Sequence, residues 1–199
     1  MRSSVTFSGS AASPEQFPRD GLPEVAFLGR SNVGKSSLLN ALAGTRNLAR
    51  VSKTPGRTRL VNFFRVDDEL YLADLPGYGY ARVTESMRRD WERLATSYLV
   101  GRESLRLAVL LVDLRHDPMD ADETMRDWLD QEGLPYLIAG TKGDKLGRGQ
   151  VESRRRMLVK GIGATARGVF ATSAETKAGI PELWKALRAA ATGGLEGAV

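Results

Sequence analysis

The stretch Gly29-Arg30-Ser31-Asn32-Val33-Gly34-Lys35-Ser36 has the pattern G-x-x-x-x-G-K-S. It lies between the apolar run 25–28 and the helical pattern 37–42. A strand, a glycine-containing loop and a helix in this order form a phosphate-binding loop, because the loop N–H groups and the helix N-terminus favour an anion. We expect Lys35 to reach the β- and γ-phosphates of a nucleoside triphosphate, and the Ser36 hydroxyl to bind Mg²⁺.

A second motif, Asp74-Leu75-Pro76-Gly77, follows the apolar strand pattern 70–73. A D-x-x-G sequence at a strand end predicts a carboxylate near the magnesium and a glycine N–H near the γ-phosphate. Taken alone it is a common turn sequence, since Asp and Gly are frequent at strand ends. Its weight comes from its position after the phosphate loop.

Two further motifs concern the base. Thr141-Lys142-Gly143-Asp144 and Thr172-Ser173-Ala174 each follow a strand pattern. The Asp144 carboxylate can accept hydrogen bonds from N1–H and the 2-amino group of guanine, a donor pair that adenine lacks, while the Lys142 stem covers the base and an N–H within 172–174 meets O6. The four motifs in this order predict GTP and GDP as ligands. Thr141 stands where the general motif has Asn, so we expect a modest affinity.

Strand and helix patterns alternate along the chain. This alternation predicts an α/β domain with a mostly parallel sheet of about six strands and helices on both faces. A tight turn in 66–70 predicts one antiparallel edge strand. We expect one domain over 22–191, a flexible N-terminal extension over 1–21 and a flexible tail over 192–199. The predicted strands are 24–29, 60–66, 69–74, 106–113, 134–140 and 168–172, and the predicted helices are 35–43, 85–100, 119–132, 148–160 and 180–191.

Composition excludes several classes of protein. The 199-residue chain has no cysteine, which excludes disulfides, thiol catalysis and zinc–thiolate sites. The apolar stretch 107–112 is far too short to span a bilayer, and the first residues lack the apolar core of a signal peptide. We therefore expect a cytoplasmic protein without membrane attachment.

With these motifs the chain resembles the EngB (YihA/YsxC) family of bacterial GTP-binding proteins, which have a Ras-like P-loop GTPase domain. The resemblance covers about 22–190, and its most specific segments are 53–58 and 74–81. The residues that carry it are Gly29-Arg30-Ser31-Asn32-Val33-Gly34-Lys35-Ser36-Ser37, Lys53-Thr54-Pro55-Gly56-Arg57-Thr58, Val61-Asn62-Phe63-Phe64, Asp74-Leu75-Pro76-Gly77-Tyr78-Gly79-Tyr80-Ala81 and Thr141-Lys142-Gly143-Asp144-Lys145.

The family resemblance implies a function. Its members are associated with assembly of the large ribosomal subunit and with normal cell division and septation. The resemblance also implies that Gly56-Arg57-Thr58-Arg59-Leu60 contacts the nucleotide, and that Thr58 binds magnesium together with Ser36 and Asp74. Two alternatives remain: a nucleotide-gated RNA- or ribosome-binding module in which hydrolysis is incidental, and a division-associated protein.

Residues 44–58 lie where GTPases keep the switch segment that orders around the γ-phosphate. Thr54 and Thr58 could each close over the magnesium, and only the resemblance favours Thr58. Hydrolysis is assigned to Lys35, Thr58, Gly77 and Asn32. Tyr78 occupies the place where many GTPases have a water-positioning Gln, so we expect slow intrinsic turnover.

Asn32 has two interpretations. In related GTPases that use potassium, an Asn at this place in the loop is a K⁺ ligand. Alternatively, Asn32 merely tolerates a tight loop conformation, as Asn often does.

The charge distribution indicates a polyanionic partner. The net charge is +5, and no Asp or Glu occurs from Val25 through Val66. We expect this window to contact rRNA of the large ribosomal subunit rather than DNA, and the protein to be a monomer. Basic residues in excess of what one nucleotide needs are Arg46, Arg50, Lys53 and Arg59; a second group, Arg154, Arg155, Arg156 and Lys160, is typical of a solvated helix face.

Overall fold

Strands and helices alternate to build one mixed sheet with helices on both faces. This computed structural model describes residues 4–45, 48, 60–79 and 85–194. In this part of the chain the strands are β1 (Val5–Ala11), β2 (Glu24–Gly29), β3 (Val61–Val66), β4 (Leu70–Asp74), β5 (Leu105–Asp113), β6 (Tyr136–Thr141) and β7 (Val169–Ala171). The helices are α1 (Lys35–Leu42), α2 (Glu85–Leu99), α3 (Asp120–Gln131), α4 (Arg148–Lys160) and α5 (Ile180–Ala191).

The strand order is β1-β3-β4-β2-β5-β6-β7. Pairs β4–β2, β2–β5, β5–β6 and β6–β7 are parallel, whereas β3 runs antiparallel to both β4 and β1. The predicted α/β class with a mostly parallel sheet is therefore confirmed. The sheet has seven strands rather than about six, and the antiparallel strand β3 is not at the edge, because β1 lies outside it.

Two apolar cores lie on opposite faces of the sheet. Side chains of successive strand residues point to opposite faces, so Val25 and Phe27 of β2 join one core while Ala26 and Leu28 join the other. The first core packs against α1 and α5, and the second against α2, α3 and α4. Because all of β2 is buried, its hydrophobic run is continuous and does not alternate with polar residues.

The β3–β4 hairpin closes as the sequence predicts. Asp67 and Asp68 both adopt positive φ values, 47° and 56°, and the Glu69 N–H donates to the Val66 carbonyl at 2.8 Å. Two left-handed residues form the turn that matches the twist of paired strands. Arg188 of α5 forms ion pairs with Asp67 at 2.6 Å and Glu69 at 2.7 Å, which fixes the turn against the last helix.

The expectation of a flexible extension over 1–21 is wrong for its described residues. β1 pairs with β3 in antiparallel register from Val5↔Val66 to Ala11↔Val61. Phe17 is only 5% exposed, and its ring lies 5.2 Å from Tyr98 and 6.1 Å from Phe63. The physical reason is that β1 and Phe17 cover one edge and one face of β3, which would otherwise expose aromatic side chains.

A buried charge pair ties this segment to the sheet. Glu24, at the start of β2, is 1% exposed and accepts hydrogen bonds from Tyr98 at 2.6 Å, from Arg102 Nε at 2.7 Å and from Ser104 at 3.0 Å. Arg102 also donates to the Pro18 carbonyl at 2.8 Å. The carboxylate is therefore fully satisfied, as a buried charge must be.

The described helices include none that is both long enough and apolar enough to cross a membrane. The predicted tail 192–199 is described only to residue 194, where it forms a turn after α5, and its flexibility stays a prediction.

Two Phe→Ala substitutions test whether the N-terminal segment is part of the folded core. Phe17→Ala removes a buried ring, and we expect it to lower the free energy of unfolding by about 3 kcal/mol. Phe7→Ala is the matched control, because Phe7 is 40% exposed on β1, and it should cost about 1 kcal/mol or less. Urea unfolding measures both. Equal, small losses would show that the segment is dispensable.

Candidate functional site

The phosphate loop, residues 29–36, connects β2 to α1 at the carboxyl end of the sheet. Gly29 has no room for a side chain, since a Cβ would lie 2.8 Å from Val33 Cγ1 and 3.0 Å from Leu111 Cβ. Asn32 and Gly34 adopt positive φ values of 63° and 112°. These turns bring the loop around the N-terminus of α1, where free N–H groups and the helix dipole favour an anion.

Lys35, within this loop, lies in direct contact with Asp74. The Lys35 ammonium donates to Asp74 Oδ1, and Asp74 is 4% exposed at the end of β4. Ser36 follows Lys35 in the first turn of α1. The site thus places one cation and one hard oxygen ligand at the same spot, as a phosphate–magnesium site requires.

The donor chemistry fits magnesium. Mg²⁺ is commonly held by one or two protein oxygens, with phosphates and waters completing the octahedron. The Asp74 carboxylate and the Ser36 hydroxyl supply such oxygens. Within the described ranges there is no group of three or more His, Cys, Asp or Glu side chains able to hold a metal by themselves.

The D-x-x-G loop, residues 74–77, is docked onto the phosphate loop by backbone contacts. The Ser31 N–H donates to the Tyr78 carbonyl at 2.9 Å, and the Tyr78 N–H donates to the Gly29 carbonyl at 3.3 Å. A Cβ at Gly77 would lie 3.2 Å from both Ser31 N and Ser31 Oγ. Glycine at this position therefore permits the two loops to approach each other. The preceding Leu75 N–H donates to the Phe27 carbonyl at 3.2 Å.

The Tyr78 side chain does not occupy the place of a water-positioning residue. It is 9% exposed, and its hydroxyl donates to Asp122 Oδ1 of α3 at 3.2 Å. Burial raises the pKa of the Tyr78 phenol, with the Asp122 carboxylate adding to the effect. The ring is therefore a neutral core group, and the hydroxyl of the side chain that replaces the Gln is bound to Asp122 of α3.

The base loop, residues 141–144, contacts backbone carbonyls of the phosphate loop. The buried Thr141 hydroxyl lies 2.6 Å from the Val33 carbonyl and 3.2 Å from the Val112 carbonyl. Lys142 has a positive φ of 61°, and its ammonium donates to the Asn32 carbonyl at 2.7 Å and to Asp113 Oδ2 at 2.7 Å. Thr141 thus makes a direct link to the phosphate loop, and the modest affinity expected from it stays a prediction.

Asp113 orients Lys142, although it belongs to none of the sequence motifs. It ends β5 and also pairs with Arg115 at 2.8 Å. Burial alone would raise the pKa of Asp113, but the hydrogen bonds from Arg115 and Lys142 outweigh it and hold that pKa well below its usual range. An ionised Asp113 therefore faces the Lys142 ammonium at neutral pH.

Asp144 is held ready to accept hydrogen bonds. Its Oδ1 accepts from the Ser173 hydroxyl at 2.9 Å, and its Oδ2 lies 3.1 Å from the Lys145 ammonium. Burial opposes ionisation, but Lys145 and Ser173 outweigh it and lower the pKa of Asp144. The loop 172–174 is fixed beside it, because the Gly143 N–H donates to the Thr172 carbonyl at 3.0 Å and the Thr172 N–H to the Gly140 carbonyl at 2.6 Å. Ala174 follows, partly buried against the α1/α5 core.

Several predicted residues lie outside the described part of the chain. Of the nucleotide-contacting segment 56–60, the structure describes only Leu60, which is partly buried just before β3. The residues outside it are Arg46, Arg50, Lys53, Thr54, Gly56, Arg57, Thr58 and Arg59.

The three arginines of the second basic group, on α4, are paired within the chain. Arg154 forms an ion pair with Asp117, while Arg155 and Arg156 both contact Glu152 at 3.0 Å. These two arginines lower the pKa of Glu152 to about 2. The pairing agrees with a solvated helix face.

Asn32 has a structural role in this geometry. Its left-handed φ is one that Asn tolerates, and its carbonyl is bound by Lys142. The potassium role stays a prediction.

The sequence of the chain is similar to those of known proteins. Residues 24–142 match the model of a family described as 50S ribosome-binding GTPase. The chain is 46% identical over 183 residues to the probable GTP-binding protein EngB of Solibacter usitatus (strain Ellin6076). The aligned part covers 91% of this chain and 93% of that protein. It is 42% identical over 180 residues to the probable GTP-binding protein EngB of Bacillus subtilis (strain 168), covering 90% and 92%.

Solved structures share the fold. A crystal structure of a probable GTP-binding protein engB superposes with a TM-score of 0.65 at 20% identity, covering 85% of this chain and 99% of that one. The crystal structure of Era in complex with MgGDPNP and nucleotides 1506–1542 of 16S ribosomal RNA also gives a TM-score of 0.65, at 24% identity, covering 83% of this chain and 55% of Era.

The Thr141 hydroxyl should stabilise the contact between the base loop and the phosphate loop. Thr141→Val keeps the shape but leaves the Val33 carbonyl without its donor, and we expect it to lower the free energy of unfolding by about 1–2 kcal/mol. Thr141→Ser keeps the hydroxyl and should cost less. Urea unfolding of the three proteins measures this. A Val variant as stable as the wild type, or a Ser variant that loses more than the Val variant, would contradict the assignment.

Proposed function

The chain belongs to the EngB family of GTP-binding proteins and is a GTPase, and we propose that it hydrolyses GTP slowly as a nucleotide-dependent assembly factor for the large ribosomal subunit. The observation that carries the nucleotide part is the convergence of the phosphate loop, the D-x-x-G loop, the base loop and residues 172–174 at one end of the sheet. Parallel sheets bind their ligands at this end.

In the proposed complex each charged or polar group at the site has one role. Lys35 binds the β- and γ-phosphates, Ser36, Thr58 and Asp74 hold Mg²⁺, and the Gly77 N–H contacts the γ-phosphate. Magnesium, when bound, neutralises phosphate charge. The ionised Asp144 accepts the guanine N1–H and 2-amino group, and Lys142 covers the base. Support comes from the Lys35–Asp74 contact and from the lowered pKa of Asp144.

Slow intrinsic hydrolysis follows from the side chains around the γ-phosphate position. No Gln follows Gly77, and the Tyr78 side chain is buried and bound to Asp122. Water positioning then depends on backbone groups and on the switch segment, so a partner that orders the segment should accelerate turnover. Turnover with and without ribosomal subunits measures this dependence.

The ribosomal partner is proposed from charge. The window 25–66 carries eight Lys and Arg residues and no acid, and it contains both the phosphate loop and the switch segment. Four of these cations, Arg46, Arg50, Lys53 and Arg59, exceed what one nucleotide needs and suit RNA phosphates. The family model's description as a 50S ribosome-binding GTPase supports the large subunit. Such a factor acts in the cytoplasm as a monomer, and impaired ribosome production would account for defects in division and septation.

Base selection by Asp144 is the first test of this proposal. Asp144→Asn replaces an acceptor by an amide, so GTP affinity should fall by about 2–4 kcal/mol, the size of a lost charge-assisted pair. Xanthosine triphosphate, whose 2-oxo group accepts where guanine donates, should bind better. Isothermal titration measures both affinities.

The matched control is Asp127→Asn, an isosteric change at an exposed carboxylate on α3. It should leave both affinities unchanged. If Asp144→Asn bound GTP as tightly as the wild type, the guanine assignment would be wrong.

Nucleotide-dependent binding to the ribosome is the second test. Binding to 50S subunits in sedimentation assays should be stronger with a non-hydrolysable GTP analogue than with GDP, because an ordered switch presents its cations together. Each phosphate contact should contribute a slope of about −0.7 to −0.9 in log affinity against log salt. Arg46→Glu with Arg50→Glu should weaken 50S binding and leave GTP affinity unchanged.

Arg155→Glu with Arg156→Glu makes the same charge change on α4, where both arginines are paired with Glu152. It should leave 50S binding close to wild type. Equal binding with either nucleotide, or loss of binding only in the α4 variant, would refute the proposed surface.

A further inference from the structure

The D-x-x-G loop also contacts the helix α2. There the indole Nε1 of Trp91, in α2, donates to the Pro76 carbonyl at 2.7 Å. Trp91 is partly buried and packs against the apolar core beneath the sheet. An indole N–H has one hydrogen to donate and no acceptor, so this bond uses its full capacity. The carbonyl directly before Gly77 is thus fixed by a side chain from another element.

Tyr78, on the other side of Gly77, is fixed by a separate set of contacts. Its ring lies 5.9 Å from the Trp91 ring in an edge-on arrangement. Its hydroxyl donates to Asp122, which is 2% exposed and also accepts from the Met119 N–H at 3.2 Å. Arg30 of the phosphate loop approaches the same carboxylate at 3.9 Å. One buried Asp of α3 therefore contacts the N-cap of its own helix, the phosphate loop and the residue after Gly77.

These contacts leave Gly77 little freedom. Its Cα faces Ser31 so closely that a Cβ would lie 3.2 Å from the Ser31 nitrogen. The peptide groups on either side are bound, Pro76 by Trp91 and Tyr78 by Ser31 and Gly29. The direction of the Gly77 N–H is consequently determined by α2 and α3 on one side and by the phosphate loop on the other.

We propose that Trp91 is a positioning residue for triphosphate recognition, acting through the Pro76 carbonyl to hold the Gly77 N–H toward the γ-phosphate, with the Tyr78–Asp122 bond as a second anchor. This inference rests on the proposed function, in which Gly77 contacts the γ-phosphate. In the proposed complex a diphosphate lacks the γ-phosphate that Gly77 contacts. Loss of the anchor should therefore weaken GTP binding and leave GDP binding unchanged, whereas a general structural defect would weaken both.

Trp91→Phe tests the first anchor, because it removes the indole N–H and keeps an aromatic ring against Tyr78. The dissociation constants of a non-hydrolysable GTP analogue and of GDP are measured by titration in magnesium. The analogue should bind about five-fold more weakly, the effect of one neutral hydrogen bond, while GDP should change by less than about two-fold.

Trp184→Phe is the matched control. The Trp184 indole in α5 donates to the Leu42 carbonyl at 2.8 Å, which is the same type of bond at a place remote from the D-x-x-G loop. This variant should lose stability, as seen in urea unfolding, without changing the ratio of the two affinities. A changed ratio in this control as well would show that the ratio merely follows stability, and would overturn the inference.

Tyr78→Phe tests the second anchor by removing only the hydroxyl that contacts Asp122, and it should shift the ratio in the same direction as Trp91→Phe. The inference is overturned if both variants weaken the two nucleotides equally, if neither changes the ratio, or if either strengthens the analogue. Failure of the proposed function has a different signature, since the wild-type protein would then bind neither guanine nucleotide, or Asp144→Asn would leave GTP affinity intact.

Discussion

A phosphate loop that turns its N–H groups toward a ligand must turn its carbonyl groups outward, and this constraint organises the site. Each outward carbonyl needs a donor from the protein. The Val33 carbonyl receives the Thr141 hydroxyl, the Asn32 carbonyl receives Lys142, and the Gly29 carbonyl receives the Tyr78 N–H. The base loop and the D-x-x-G loop are therefore positioned by the backbone of the loop that they flank. In the proposed function, nucleotide specificity and phosphate sensing thus depend on one short segment.

The same constraint explains the charges near the site. Lys142 requires a counterion once it is drawn against the phosphate loop, and Asp113 supplies it. Lys35 has Asp74, and Asp144 has Lys145. The carboxylates of Asp113 and Asp144 have lowered pKa values because their partners outweigh the cost of burial. An acidic side chain beside a polyphosphate is tolerated only under such pairing or with a metal ion.

The places of the motifs at strand ends and the strand periodicity could be predicted from the sequence because both are local. Each motif follows an apolar run, and parallel strands bring such ends together. β1 was missed because 1–21 is rich in Ser, Gly and Pro, and its pairing partner β3 lies some fifty residues away in the chain. Its weak signal was the alternation in Val5-Thr6-Phe7. Asp113, Asp122 and Trp91 were missed because their partners are distant in sequence, and the side-chain direction of Tyr78 depends on α3.

The D-x-x-G loop, the proposed sensor of the γ-phosphate, is held by bonds of limited strength. The bonds from Trp91 to Pro76, from Ser31 to Tyr78 and from Tyr78 to Gly29 are neutral, and each contributes about 1 kcal/mol net. Their sum, about 3 kcal/mol, lies within the usual range of coupling free energies between sites. A charge-assisted contact from the γ-phosphate is of comparable size. The three bonds therefore hold the D-x-x-G loop in a defined position, and loss of any one of them removes about a third of the free energy that holds it.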